Sequence, residues 1–307
     1  MEKSSNKNKN TIPFQELISR LQCFWTKVGC MLIQPIDIEV GAGTSHPMCF
    51  LNSIGPEPTA IAYIQPSRRP SDGRFGKPTN RLQHYYQFQV AIKPAPKDIQ
   101  DIYIKSIESL DIDLRYNDLR FVDDNWENPT LATWGIGWEV WLNGLEVTQL
   151  TYFQQVGGLI SKPVTTEITY GLERLAMHIQ EVNNIYAISW SAGLFGYVSY
   201  GEMFLKSEID HSIYSFEYSD LKLLFSLFEI HMKEVQKLLR FTKVLLGSAY
   251  EFVLKAVHIF NLLDARNALS TTERKSHIMC IRSLVKEIAK KYYIYRKSIG
   301  FPKRGII

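Results

Sequence analysis

The dipeptide Asn143-Gly144 lies between two runs of alternating side chains, Trp138 to Leu142 and Leu145 to Gln149, and this pattern dictates a two-residue β-hairpin. Such a turn needs positive φ at both central residues, which asparagine and glycine tolerate, and it fixes the strand register. Counting outward pairs Leu142 with Leu145, Trp141 with Glu146, Val140 with Val147, and Glu139 with Thr148. Directly paired residues share a face. One face therefore carries Glu139, Trp141, Glu146 and Thr148, and the other carries the apolar row of Val140, Leu142, Leu145 and Val147. Two carboxylates at a diagonal spacing of ~7–8 Å beside a large aromatic suit an ammonium group or Mg²⁺. The plainer alternative is a solvated strand face with two ordinary glutamates.

A second constraint is the loop between two strand-like runs, Ala60 to Ile64 and His84 to Ile92, which the sequence predicts to be antiparallel. The loop gathers Arg68, Arg69, Arg74, Lys77 and Arg81 against one acid, Asp72. Guanidinium groups match phosphate oxygens bidentately, so the loop reads as a polyphosphate clamp. The following strand divides into a polar face of Tyr85, Gln87 and Gln89 and a face of His84, Tyr86, Phe88 and Val90. A ring can stack on a base, and glutamine amides can hold an amino or carboxylate group. Further on, a β-type run from Val164 to Thr169 passes through Gly171 into an apolar helix, which places Arg174 in that helix's first turn.

The chain changes character near residue 200. Upstream, short strands alternate with Gly-, Pro- and Trp-rich loops after one early helix at about residues 14 to 28. Downstream, Leu221, Leu224, Phe225, Phe228, Met232, Val235 and Leu239 recur at helical spacing behind a capping Asp220. A helix over about 249–263 follows, and another begins at a capping box, Ser270 with Glu273. The expected organisation is a disordered tail at 1–11, a mixed sheet-and-helix unit at 12–200, and a helical bundle at 201–307. Residues 271 to 304 carry +8, so the remainder carries −4 against the chain's total of +4, and attraction for a polyanion would concentrate near the C-terminus. The cysteines form no CxxC pair and no HExxH string occurs, which argues against disulfides and structural zinc. No run of about 18 apolar residues could span a bilayer. Met1 to Asn10 lacks the apolar stretch of a secretion signal, pointing to a cytoplasmic protein.

Taken together, these elements resemble the signature motifs of class II aminoacyl-tRNA synthetases. Val28-Gly29 to Pro35 is similar to the first motif, at a homodimer interface. Arg68 or Arg69, through the loop to the 84–90 strand, resembles the second, and Gly171-Leu172-Glu173-Arg174 the third. The match is closer to the α-subunit family of bacterial heterotetrameric glycyl-tRNA synthetases, carried by Gln34 to Pro47 (QPIDIEVGAGTSHP), Arg68 to Arg74 (RRPSDGR), Asp124 to Pro129 (DNWENP), the hairpin, and Tyr152 to Gly158 (YFQQVGG). Leu263 to Arg266 and Thr272 to Arg274 also fit.

The resemblance implies an α+β fold, a class II synthetase-like antiparallel sheet flanked by helices and followed by a C-terminal helical bundle. It implies activation of glycine with ATP and Mg²⁺ and transfer to tRNA(Gly) with a β subunit in an α2β2 assembly. Arg68 or Arg69 would meet the α-phosphate, and Arg81 and Arg174 the outer phosphates. The adenine-stacking aromatic has two registers, Arg81 with Tyr85 or His84 with Phe88, of which the first keeps the site on the polar strand face. Gln87, Gln89, Trp126, Glu139, Trp141, Glu146 and Thr148 would surround the amino acid, with Glu139 or Glu146 on Mg²⁺. A wall of bulky side chains such as Trp126 or Trp141 would reject larger amino acids, so Trp126→Ala should admit alanine. A second possibility is an AMP-forming ligase of the same type acting on a non-tRNA acceptor.

Overall fold

The structure is a computed structural model, and it describes residues 12–78, 80–194, 196–241 and 245–302. The expected tail at 1–11 and the basic Lys303 and Arg304 lie outside the described residues. Helix α1 (Phe14–Val28) forms because Phe14, Leu17, Leu21 and Trp25 recur on one face, and all four are buried. Gly29, at φ +108°, ends it by donating its N–H to the carbonyls of Thr26 and Trp25. There follow β1 (Met31–Leu32), α2 (Pro47–Phe50), β2 (Thr59–Arg68), β3 (His84–Lys93), α3 (Ile99–Glu108), β4 (Leu119–Asn128) and β5 (Thr133–Leu142). Next come β6 (Leu145–Val156), β7 (Leu159–Ile160), β8 (Thr166–Gly171), α4 (Leu172–Ile179), and a small hairpin of β9 (Ser189–Gly193) and β10 (Gly196–Ser199). Helices α5 (Tyr200–Ile213), α6 (Leu221–Arg240), α7 (Leu246–Ala265) and α8 (Thr271–Ser298) complete the chain, with a π-helical turn over Tyr214–Tyr218.

The main sheet runs β1-β2-β3-β8-β6-β5-β4, with β7 added on β6. Strand β1 is parallel to β2, and the remaining pairs are antiparallel. This is the expected α+β arrangement, an antiparallel sheet flanked by helices and followed by a helical bundle. The predicted caps are present. Asp220 accepts from the N–H groups of Lys222 and Leu223, and Ser270 and Glu273 form a full capping box.

The hairpin corrects the sequence count. Asn143 (φ +49°) and Gly144 (φ +82°) make the turn, and Leu142–Leu145 and Trp141–Glu146 pair as counted. A β-bulge then shifts the ladder, so that Val140 pairs with Thr148 and Glu139 with Gln149. Val147 is the extra residue. Counting from a turn assumes one residue per rung, and a bulge breaks that assumption without any turn-type signal. Thr148 consequently belongs to the row of Val140 and Tyr170 and is 2% exposed, while Gln149 takes its place beside Glu139.

Among the described residues, two large cores hold the molecule, with a small third cluster of Cys49, Ile61, Tyr63 and Ala91 against β2 and β3. The first lies between one face of the sheet (Phe88, Val90, Val140, Leu150, Ile168, Tyr170) and α1, α3 and α4, and Tyr200 of α5 joins it. The second gathers Phe228, Val235, Val253, Phe260, Ile281 and Val285 of α6, α7 and α8 around Phe50, Phe153 and Val156. Phe50 stacks on Tyr250 at 4.9 Å between ring centroids. The helical bundle therefore packs against the sheet-bearing half, and each buried side chain at that junction contributes about 1.5–3 kcal/mol relative to exposure.

Candidate active site

A strand has two faces, and with the first core claiming one, the other is free to carry polar chemistry. The observed register aligns that second face in rows. Gln65 of β2 pairs with Gln87 of β3, which pairs with Gly171 of β8. One rung deeper, Tyr63, Gln89, Thr169, Gln149 and Glu139 form a continuous line across five strands. A cavity of about 210 Å³ opens over these rows, bordered by Arg69, Arg81, Tyr85, Gln87, Glu146 and Arg174 among others.

The cations reach it from three elements. Arg69, just past β2, donates from Nε to the Gly41 carbonyl at 3.0 Å and lies over the Tyr85 ring at 5.2 Å from its centroid. Arg81 forms an ion pair with Asp72 at 3.3 Å. Arg174, in the first turn of α4, donates from Nη1 to the Glu146 carboxylate at 2.8 Å and to its carbonyl at 2.9 Å. The loop of Gly41 to Ser45 holds side chains that border the cavity. Gly43 donates its N–H to Gln87 Oε1 at 2.8 Å, and the Tyr63 hydroxyl donates to the Gly43 carbonyl at 2.8 Å. Only glycine fits there, because a Cβ would lie 2.5 Å from Gln89 Oε1.

Two buried carboxyls brace the site. Glu173 accepts from the Tyr86 N–H at 2.8 Å and the Tyr200 hydroxyl at 2.9 Å. Burial pushes it up to about 7 against the pull of those hydrogen bonds. Glu167 accepts from Thr44 Oγ1 at 2.8 Å and Cys49 Sγ at 3.3 Å, and burial likewise pushes it up to about 7. Arg174 is thus carried on a helix start whose preceding residue is tied to β3 and α5.

Several residues singled out from the sequence lie elsewhere. Arg68 turns to the opposite side of β2 from Arg69, with Nη1 3.4 Å from His211 Nε2. Phe88 is fully buried in the first core against Tyr170, at 5.9 Å between centroids, so the His84/Phe88 register does not face the cavity. Of the loop cations, Arg74 bonds to the carbonyls of Ser71 and Gly73, and Lys77 is exposed. Trp126 packs on Phe153 at 5.6 Å in the second core and does not border the cavity. Trp141 donates its indole N–H to Glu139 at 3.0 Å, and neither borders the cavity. Gln89 is fully buried below it, accepting from the Thr169 hydroxyl at 2.9 Å. Thr148, by contrast, does border the cavity, although its hydroxyl is buried without a hydrogen-bond partner.

Other residues enter the site without having been counted in it. Gln149 and Thr169 border the cavity, and Asp124 accepts from Gln149 Nε2 at 2.6 Å. Gln149 was hidden by the bulge; Asp124 lies in the DNWENP string, whose motif flagged the segment without saying which side chain points inward. Among the described residues no group of three or more His, Cys, Asp or Glu side chains is placed to hold a metal ion. No helix among them is long and apolar enough to cross a membrane.

The chain is similar to two solved structures of pyrrolysyl-tRNA synthetase from Desulfitobacterium hafniense, both at 13% identity over 60% of this chain. They cover 75% and 76% of those chains, with TM-scores of 0.42 and 0.40. A family match extends over residues 14–297, nearly the whole described chain, and by it this protein belongs to the glycyl-tRNA synthetase alpha subunit family.

Proposed function

We propose that the cavity bordered by Arg69, Arg81, Tyr85, Gln87 and Arg174 is where glycine and ATP meet. The overall activity follows from family membership: this is the α subunit of a glycine–tRNA ligase, an ATP-using enzyme that charges tRNA(Gly) with a β subunit. A ligase acting on some other acceptor is not favoured. The observation that carries the site reading is the convergence of three guanidinium groups from separate elements with one aromatic ring and one glutamine around a single cavity.

In the first step the glycine carboxylate attacks the α-phosphorus of ATP, the bond to the β-phosphate breaks, and pyrophosphate leaves. The nucleophile is already ionised at pH 7, so the chain's work is positioning and charge stabilisation. Arg69 is assigned to the α-phosphate, Arg81 and Arg174 to the outer phosphates, and the Tyr85 ring to the adenine. Gln87, with Gln149 and Thr169 beside it, is assigned to glycine. Arg174 occupies one carboxylate oxygen of Glu146 and leaves Oε1 without a hydrogen-bond partner among the described residues. That open oxygen fits Mg²⁺, which is ordinarily held by one or two carboxylates plus substrate phosphates and would neutralise phosphate charge here.

Residues 12–200 act on this reading as the catalytic unit, and 201–307 as a helical unit for the β subunit or the tRNA. Exposed Val28, Met31 and Leu32 support a homodimer contact through residues 28–35. Glycine-dependent ATP–pyrophosphate exchange, measured for the chain alone and with its β subunit, tests the assignment. Exchange with glycine and none with alanine or serine is the expected result. Exchange that survives removal of Arg69 and Arg174 together would overturn the placement of ATP in this cavity.

A further inference from the structure

Arg68 has no place at the first cavity, and it is not idle. It projects into a second cavity of about 360 Å³, between the base of the basic loop and helices α5, α6 and α7. None of the residues bordering this cavity borders the first. Pro70 and Gln83 supply the loop side, and His211 with the π-helical turn, His231, Lys255 and His258 supply the helical side. π-Helical turns are rare and concentrate at functional sites.

The charge in this space is unbalanced. Among the described residues, neither Arg68 nor Lys255 makes an ion pair within 4 Å; Arg68 touches His211, and Lys255 lies 4.8 Å from the Phe252 ring centroid. Burial, followed by the neighbouring cations, holds His211 and His231 below the ordinary imidazole range. Burial does the same to His258, against the pull of Glu39. The imidazoles are therefore neutral near pH 7, and among the described residues the fixed charges bordering the cavity are two cations and one carboxylate, Glu39. His231 Nδ1 is buried and has no hydrogen-bond partner. Arg68 and Lys255 are each half-buried, and Glu208 of α5 is a further carboxylate near Arg68 outside the cavity lining. Two unpaired cations would repel a metal ion, while a guanidinium fork matches the oxygens of a phosphate.

We infer that this cavity is a second anion site that takes a phosphate group, either as a free anion or as a phosphodiester of a single-stranded RNA end. Its occupant bridges Arg68 and Lys255. The base of the loop that carries Arg69 is thereby fastened to α7. The site stands whether or not the first cavity activates glycine.

Two substitutions with opposite expected effects test it in the full chain. Calorimetric titration with inorganic phosphate should show binding that Lys255→Gln weakens by about tenfold, the scale of one charged hydrogen bond. Glu39→Gln should tighten it, since it removes the one carboxylate that borders the cavity among the described residues. Loss of folding cannot produce both. Glycine-dependent exchange should persist in both variants. A labelled RNA trinucleotide followed by anisotropy identifies the source: RNA displaced by phosphate and weakened by Lys255→Gln places a nucleic-acid end there, and RNA indifferent to phosphate assigns the site to the free anion. Phosphate binding that is absent, or that ignores both substitutions, overturns the inference.

Discussion

Arg68 and Arg69 are neighbours in sequence and face opposite ways: Arg69 lies over Tyr85 at the first cavity, and Arg68 meets His211 in the second. Consecutive side chains at a strand end alternate in direction, so a pair of arginines there divides between two environments.

That division separates their mutant phenotypes. Arg69→Ala should lower glycine-dependent exchange by roughly 10²-fold, the usual loss when a donor to developing transition-state charge is removed. Arg68→Ala should cost under about tenfold, through the loop base alone. Steady-state exchange rates of the two variants decide it, and equal losses would contradict the assignment.

Trp126 is expected to matter for stability more than for selectivity. It packs on Phe153 where the helical bundle meets the sheet. Trp126→Ala should cost about 2–4 kcal/mol in denaturant unfolding, somewhat under the cost of a fully buried tryptophan, and should leave the preference for glycine over alanine intact. Alanine-dependent exchange by a folded variant would restore the selectivity role expected from the sequence.

Glu173 gives a pH signature. Its folded carboxyl is pushed up to about 7 from an ordinary 4.5, so between those values the folded chain keeps a proton that the unfolded chain releases. Its contribution to stability is complete below the unfolded value and is lost as pH rises through 7. Glu173→Gln removes this dependence. Urea midpoints from pH 5 to 8 should fall less steeply in the variant than in the parent, by on the order of 2 kcal/mol across the range. Glu167 supplies a similar slope to both, so only the difference is diagnostic. Parallel pH curves would show that Glu173 is ionised in the folded protein.

The end of α8 is anchored by Arg296, which donates to Glu57 at 2.7 Å from Nε and 2.5 Å from Nη2, with side-chain exposures of 17% and 8%. Removing one partner of such a pair leaves the other charge uncompensated. Glu57→Ala should therefore cost about 3 kcal/mol or more, and the conservative Glu57→Gln less. Chemical denaturation, with limited proteolysis near residue 296, reads both effects.

Much of the fold is legible in the chain because its signals are local. The Asn143-Gly144 turn, the Asp220 and Ser270 caps, and the apolar stripe of α1 each depend on residues within a few positions of one another, and each appears in the structure where the sequence places it. The site is only partly legible. The polar row of Tyr85, Gln87 and Gln89 follows from strand alternation, yet Gln89 ends fully buried beneath the site. The bulge at Val147 puts Gln149 instead of Thr148 beside Glu139, and Gln149 joins Thr148 at the cavity, which neither composition nor turn type announces.

The sequence by itself determined the elements, the sheet-then-helix division, the family motifs and the supply of cations. Tertiary structure alone decided which of those cations converge. Arg69, Arg81 and Arg174 are brought together by strand pairing and by α4, whose first turn is held through Glu173, while Arg68 is claimed by helices more than a hundred residues away. The physical reason is range: turn and cap preferences act through the backbone of adjacent residues, whereas side-chain direction at a site is set by whichever distant surface packs behind it.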